Sequence, residues 1–241
     1  MTNERNDMDR RETAQRQRFF NISPIVLAII VFCVAVHVVR VYWLPPELDF
    51  EVIVAAAFIP LRYSGQFEIG PEAFTSPVTY AFLHGGFAHL AVNMIWLAAI
   101  GTPLENRIGA RRFVLFWLVT GLAAAAAHYL AYPMGDAPLI GASGAISGMM
   151  AASARYFFQV DRSREPAPFA GRLAPLGYAL RSRRVLIFSG VWLVGNLAVG
   201  LLGFPGVSDA IAWEAHIGGF LAGFFLLGLF DREPSPAHRA D

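Results

Sequence analysis

The sequence predicts an all-α membrane protein: a six-helix transmembrane bundle with a long, partly membrane-embedded first outside loop. Three observations predict it. Only 15% of the 241 residues are charged and 56% are hydrophobic, where soluble globular domains carry roughly 25% charged residues. Six separate segments are apolar over about the 20 residues needed to cross a bilayer. The arginines, which account for every positive side chain, fall in alternate connections between those segments.

The elements follow in order. Residues 1–22 form a polar tail in which Arg5, Arg10, Arg11, Arg16 and Arg18 are mixed with Glu4, Asp7, Asp9 and Glu12. This composition reads as a solvated, disordered cytoplasmic segment. No small-x-small cleavage pattern follows the first apolar run, so a signal peptide is not expected. A membrane domain at 23–231 holds spans at about 24–43, 87–105, 112–132, 143–159, 184–203 and 214–230, and a short cytoplasmic tail occupies 232–241. The connection at 44–86 is long for a small bundle. It mixes Pro45, Pro46, Pro60, Pro71 and Pro77 with apolar stretches, which suits an outside loop resting partly in the interface. No repeat and no second domain is visible.

Orientation comes from the arginines. With the N-terminus inside, the inside segments hold the tail arginines, Arg107, Arg111, Arg112, the basic loop at 160–184, Arg232 and Arg239. The outside loops hold Arg62 alone, apart from Arg40 at the end of the first span, and are rich in acidic residues such as Glu47, Asp49, Glu68 and Asp136. An odd number of spans would destroy this bias, so both termini are expected in the cytoplasm. A net charge of +1 gives no basic field for nucleic acid. The single cysteine, Cys33, excludes an intramolecular disulfide and a cysteine-based metal site.

Polar groups inside spans are costly and mark functional sites by default. Here they converge. The second, fourth and sixth spans all run from outside to inside. The outer half of the second carries His89 and Asn93, four residues apart and therefore on one helix face. The fourth opens with Gly141-Ala142-Ser143-Gly144, and the sixth carries His216 near its start. All four side chains thus lie at similar depth. The fourth helix, about 16 residues long, would measure only about 24 Å, against a hydrocarbon core of about 30 Å. Its N-terminus must begin below the outer surface, and the residues before it must dip inward. Irregular backbone at that depth is tolerated only within protein or beside a hydrated cavity.

A serine becomes a nucleophile when a neighbouring base takes its proton, and His216 is the candidate base for Ser143. A helix start offers free N–H groups to developing negative charge, and Asn93 and His89 could add side-chain donors to an oxyanion. Glycines beside Ser143 permit close backbone approach. The small-xxx-small pairs Gly144/Gly148 and Gly219/Gly223 would let the fourth and sixth helices touch, bringing Ser143 to His216.

These residues resemble the rhomboid family of intramembrane serine proteases. The likeness rests on the His-x4-His-x3-Asn pattern of His84, His89 and Asn93, on Gly141-Ala142-Ser143-Gly144, and on Ala215-His216-Ile217-Gly218-Gly219 followed by Gly223, over about residues 80–230. It implies Ser143 as nucleophile, His216 as base in a dyad without a carboxylate, and His89, Asn93 and the Ser143 amide as oxyanion hole. His84, Gly141, Gly144, Gly219 and Gly223 complete the motifs. It further implies single-span membrane proteins as substrates, no cofactor and no metal, a bacterial inner-membrane location, and a site opening toward the outer side. Two departures stand out. Ser147 occupies a place where some members have an aromatic residue beneath the histidine, and the Trp-Arg pair found in the first loop of some members is absent, Arg62 standing in Pro60-Leu61-Arg62-Tyr63. Glu214, two residues from His216, falls on another helix face.

The rival readings are weaker. A catalytically inactive rhomboid-like scaffold that binds membrane clients would typically have lost Ser143 or His216. A metal-dependent intramembrane protease needs His-Glu-x-x-His, which is absent, and an aspartyl type needs two aspartates within spans. A transporter built on internally related halves finds no halves here.

Overall fold

The computed structural model describes residues 22–164, 166–202 and 212–232. The polar tails expected at 1–22 and 232–241, and the connection at 203–211, lie wholly or almost wholly outside the described residues. The described residues are helical, with two isolated β-bridges and no strand.

Helix α1 (Pro24–Tyr42) begins with proline in its first turn, where a missing N–H costs nothing. Its other free N–H groups are met from a distance. The buried Glu105 carboxylate accepts the Ser23 hydroxyl and the amides of Ile25 and Val26, placing a negative group at a helix N-terminus. Helices α2 (Pro46–Ala56) and α3 (Glu72–Thr79) lie in the long first loop. The loop is tied down by two arginines. Arg40 pairs with Asp49 at 2.7 Å and donates to the His84 carbonyl, while Arg62 donates to Ser76 Oγ at 2.8 Å and to the carbonyl of Val54. Phe50, Phe67, Ile69 and Phe74 remain exposed on it, as an interface-resting loop requires.

Helix α4 (Phe87–Ile108) carries a wider π turn over Leu97–Gly101, just ahead of Pro103. A wide turn absorbs the backbone bond that proline removes. Gly109, at φ 82°, makes the sharp corner into α5 (Ala110–Ala131). Helix α6 (Ser143–Arg155) is buried along almost its whole length. Helix α7 (Arg183–Leu202) is barely buried, and α8 (Trp213–Leu226) continues by a tighter turn to Leu229. Helices α1 and α4–α8 fall where the six spans were expected and are consistent with that number. Among the described residues, α1, α4, α5 and α7 are long and apolar enough to cross a membrane by themselves.

Two expectations need adjustment. The second apolar helix runs on to Ile108 rather than ending near 105. The fourth stops at Arg155, not 159, so its 13 residues measure only about 20 Å. Just beyond its end Phe157 and Phe158 adopt left-handed backbone, φ 55° and 56°, and Arg155 ties the last turn to the carbonyls of Ala174 and Phe224. Its irregular entry is satisfied by protein: Phe58 and Leu139 exchange both backbone bonds, and the Gly141 amide donates to the Tyr80 carbonyl at 2.9 Å.

Helix α6 is held between α5 and α8 by small residues. A Cβ added at Gly219 would overlap the Gly144 carbonyl oxygen, and one at Gly223 the Gly148 carbonyl. Alanine at an ordinary helical glycine stabilises by up to about 1 kcal/mol. At these two positions backbone itself would have to yield, so Gly219→Ala and Gly223→Ala are expected to destabilise by at least the roughly 1–3 kcal/mol of core overpacking. Thermal unfolding in detergent checks this: Tm should fall in both, whereas Gly190→Ala, which meets nothing within 4 Å, should leave it unchanged or raised.

Candidate active site

Ser143 is the first residue of α6, and His216 lies in the first turn of α8. The α6–α8 glycine contact therefore brings two helix starts side by side. The Ser143 hydroxyl and His216 Nε2 are 2.7 Å apart, a hydrogen bond of full strength. Both residues are half-buried, so the pair is recessed but open to a reagent.

The remaining motif residues gather around this pair unequally. Gly141 has φ 117°, a conformation that favours glycine. A Cβ there would lie 2.8 Å from His89 Nε2 and 3.6 Å from Ser143 Oγ, so the imidazole of His89 presses on the backbone just ahead of the serine. Asn93, one turn further along α4, is buried, and its amide donates one N–H to the His89 carbonyl at 2.8 Å, leaving a second N–H on the same nitrogen. His84 stands behind His89, ring centroids 5.2 Å apart. It is fully buried, and neither of its ring nitrogens has a hydrogen-bond partner among the described residues. Gly144, Gly219 and Gly223 serve the helix contact.

Ser147 turns away from the imidazole and donates to the Ser143 carbonyl within its own helix, at 2.7 Å. What meets His216 instead is Asn196 of α7, whose Oδ1 lies 2.7 Å from Nδ1. Asn196 is not among the residues singled out from the sequence. The converging polar groups there lie on helices running from outside to inside, and α7 runs the other way. The missed signal was an asparagine near the C-terminal end of an apolar span, at the depth of the N-terminal ends of its neighbours. Glu214 is engaged elsewhere, hydrogen-bonded to His128 Nδ1 on α5. No cluster of metal-ligating side chains exists among the described residues. The arrangement can take a proton from a serine hydroxyl beside a helix N-terminus.

The Rhomboid domain family matches residues 71–232 of the chain. A RHOMBOID-like protein 5 of Arabidopsis thaliana is 36% identical over 149 residues, 62% of this chain and 41% of that protein. The rhomboid protease GluP of Bacillus subtilis (strain 168) is 31% identical over 61% of this chain and 24% of its own length. The rhomboid protease GlpG of Serratia proteamaculans (strain 568) is 26% identical over 85% of this chain and 62% of its own length. The chain thus spans less than two thirds of each of these curated relatives.

A serine hydroxyl polarised by an imidazole should react with a fluorophosphonate, whereas an ordinary membrane serine should not. Labelling of the intact protein in detergent, followed by peptide mass spectrometry, should place one adduct on Ser143 and none on Ser147. His216→Ala should abolish it. An adduct on Ser147, or equal labelling without His216, would contradict this geometry.

Proposed function

The chain belongs to the rhomboid family, and on that premise we propose that it is an intramembrane serine protease that cuts single-span membrane proteins in or near their transmembrane segments. The observation that carries the proposal is the 2.7 Å hydrogen bond between Ser143 and His216, set at a helix start within an apolar bundle.

In the proposed reaction the Ser143 oxygen attacks the peptide carbonyl carbon while its proton passes to His216 Nε2. The carbonyl oxygen becomes an oxyanion, held by the Ser143 amide at the start of α6, by the second N–H of Asn93 and by His89. Donors preorganised for such charge act most strongly where water is scarce. Collapse breaks the C–N bond, and the proton on His216 leaves with the amine. Water then attacks the acyl-serine, His216 again taking the proton, and the acid product departs with Ser143 restored. Every step uses the chain's own groups, so the mechanism calls for neither metal nor cofactor.

The membrane setting supports the same reading. A helix of about 20 Å cannot fill a core of about 30 Å, so Ser143 begins below one surface. The arginine bias favours the outer side for that surface and cytoplasmic termini, which supports the reading of a bacterial inner-membrane protein. A substrate helix offers no cleavable bond while its backbone is hydrogen-bonded and lipid-covered; small or helix-breaking residues near its outer end would expose one.

Purified protein incubated with a panel of single-span substrates tests the proposal. Ser143→Ala and His216→Ala should each abolish cleavage with Tm retained, and the double variant should be no worse than either, since members of one catalytic unit are not additive. Substantial cleavage by either single variant would sink the dyad. Asn93→Ala should lower kcat by roughly 10- to 1000-fold with KM little changed, as loss of an oxyanion donor does; an unchanged kcat would leave Asn93 a packing role.

A further inference from the structure

We infer that Asn196 is the positioning residue of this site, fixing the tautomer and orientation of His216 so that the proposed dyad works as a Ser–His–Asn relay; the inference rests on the protease reading above. Asn196 Nδ2 donates to the Trp192 carbonyl at 2.8 Å. A backbone carbonyl only accepts, so the amide nitrogen must face it and the amide oxygen must face His216. That oxygen lies 2.7 Å from Nδ1 and also only accepts, so Nδ1 must carry the imidazole proton. A neutral imidazole has one such proton, which leaves Nε2 bare, and Nε2 is the atom 2.7 Å from the Ser143 hydroxyl. The chain of donation therefore runs one way at each link, and it presents the nitrogen that can accept the serine proton.

A second observation shows that this contact is built into the helix pair. One turn before Asn196 on α7 is Trp192, and one turn after His216 on α8 is Phe220. Their rings stack at 4.4 Å between centroids with planes 20° apart. Because α7 and α8 run in opposite directions, the stack sits directly beneath the Asn196–His216 bond and holds the two helices at that spacing. Nearer its start α7 is held by the buried Val185 and by Phe188 against Phe158; at the level of His216 this double contact is the attachment. The place beneath the histidine left open by Ser147 is thus made good from a different helix, by a side chain in the imidazole plane. The ionisable groups close enough to act on His216 are His89 and Glu214. Glu214 is hydrogen-bonded to His128, and the His89 ring lies against Gly141. The hydrogen bond at Nδ1 is the one to the neutral Asn196 amide.

Three variants in the full chain test this. Asn196→Leu keeps the volume and removes the acceptor. Its kcat, and its rate of fluorophosphonate labelling at Ser143, should fall roughly tenfold to a hundredfold, the range expected when a hydrogen bond and the orientation it enforces are lost together. KM should hold, because Asn196 touches no substrate. Asn196→Asp retains an acceptor toward Nδ1 and should recover most of the loss, which mere packing damage would not allow. Trp192→Leu should give a smaller loss of the same kind. Nitrogen NMR of histidine-labelled protein supplies a readout independent of activity: His216 should be a single Nδ1–H tautomer in wild type and a mixture in Asn196→Leu. A wild type that labels and cleaves alongside an Asn196→Leu variant of equal rate would overturn the role of Asn196 and leave the protease reading standing. A wild type that does neither would overturn the protease reading, and the tautomer signal would still decide the contact: an Nε2–H tautomer in wild type refutes it.

Discussion

The structure depends on two helices touching through their backbones. Along α6 and α8 no side chain intervenes between Gly144 and Gly219 or between Gly148 and Gly223. In a bilayer, lipid is as apolar as any side chain, so helices gain nothing from hiding leucines from each other and are held by van der Waals contact over small residues. Gly218 extends the contact to Ala123 and Ala127 of α5, which makes α5, α6 and α8 one close-packed trio. The register of that trio is also what sets Ser143 against His216. Both sit in first turns, so the depth at which the glycines interlock is the depth at which the two helix starts meet. A displacement near 1 Å at this contact would reach the reacting atoms undiminished, and proximity effects are sensitive at that scale.

Apolar surroundings impose a second discipline: buried polar groups need partners. The chain answers by using single side chains to close several gaps at once. Glu105 satisfies three donors at the start of α1. At the other end of the protein from Ser143, Asp231 receives Arg107 and the Tyr156 hydroxyl, and Arg112 closes the carbonyls of Phe230 and Asp231. Around the submerged entry to α6 the Phe58–Leu139 bridge and the Tyr80 carbonyl do the same for backbone. The irregular segment that carries Gly141 is thus tied to its neighbours through its own backbone.

Much of this was legible in the amino-acid sequence, and the parts that were not share a cause. The six apolar helices follow from composition and length, and the start of α6 from its Gly-Ala-Ser-Gly opening, because these are local properties. The meeting of α6 and α8 was legible because small residues four apart leave little else for a membrane helix to do. The early end of α6 was hidden, since two phenylalanines follow it in left-handed backbone that no local preference announces. The anchoring of the first loop by Arg40 and Arg62 was hidden for the same reason, being made of partners brought together only by the fold. Asn196 lay between these cases. Its polarity inside an apolar run was visible, but its depth could be matched to His216 only by counting from the opposite end of an antiparallel helix.

The location of Asn196 divides the site into two mechanically different parts. The distance between Ser143 and His216 is set by α6 and α8, which meet through their backbones. The proton arrangement on His216 is set by α7, of whose apolar window only 6% is buried, against 44% for α5 and 50% for α4. Helix α7 meets its neighbours through side chains, with Trp192 on Phe220, Phe188 against Phe158 and the Asn196 hydrogen bond, whereas α6 and α8 meet through backbone. Motion of α7 would leave Ser143 and His216 adjacent and would still remove the acceptor that keeps Nε2 bare. On the proposed mechanism, proximity of the dyad is then a fixed property of the fold, and its readiness to accept a proton depends on how α7 is seated.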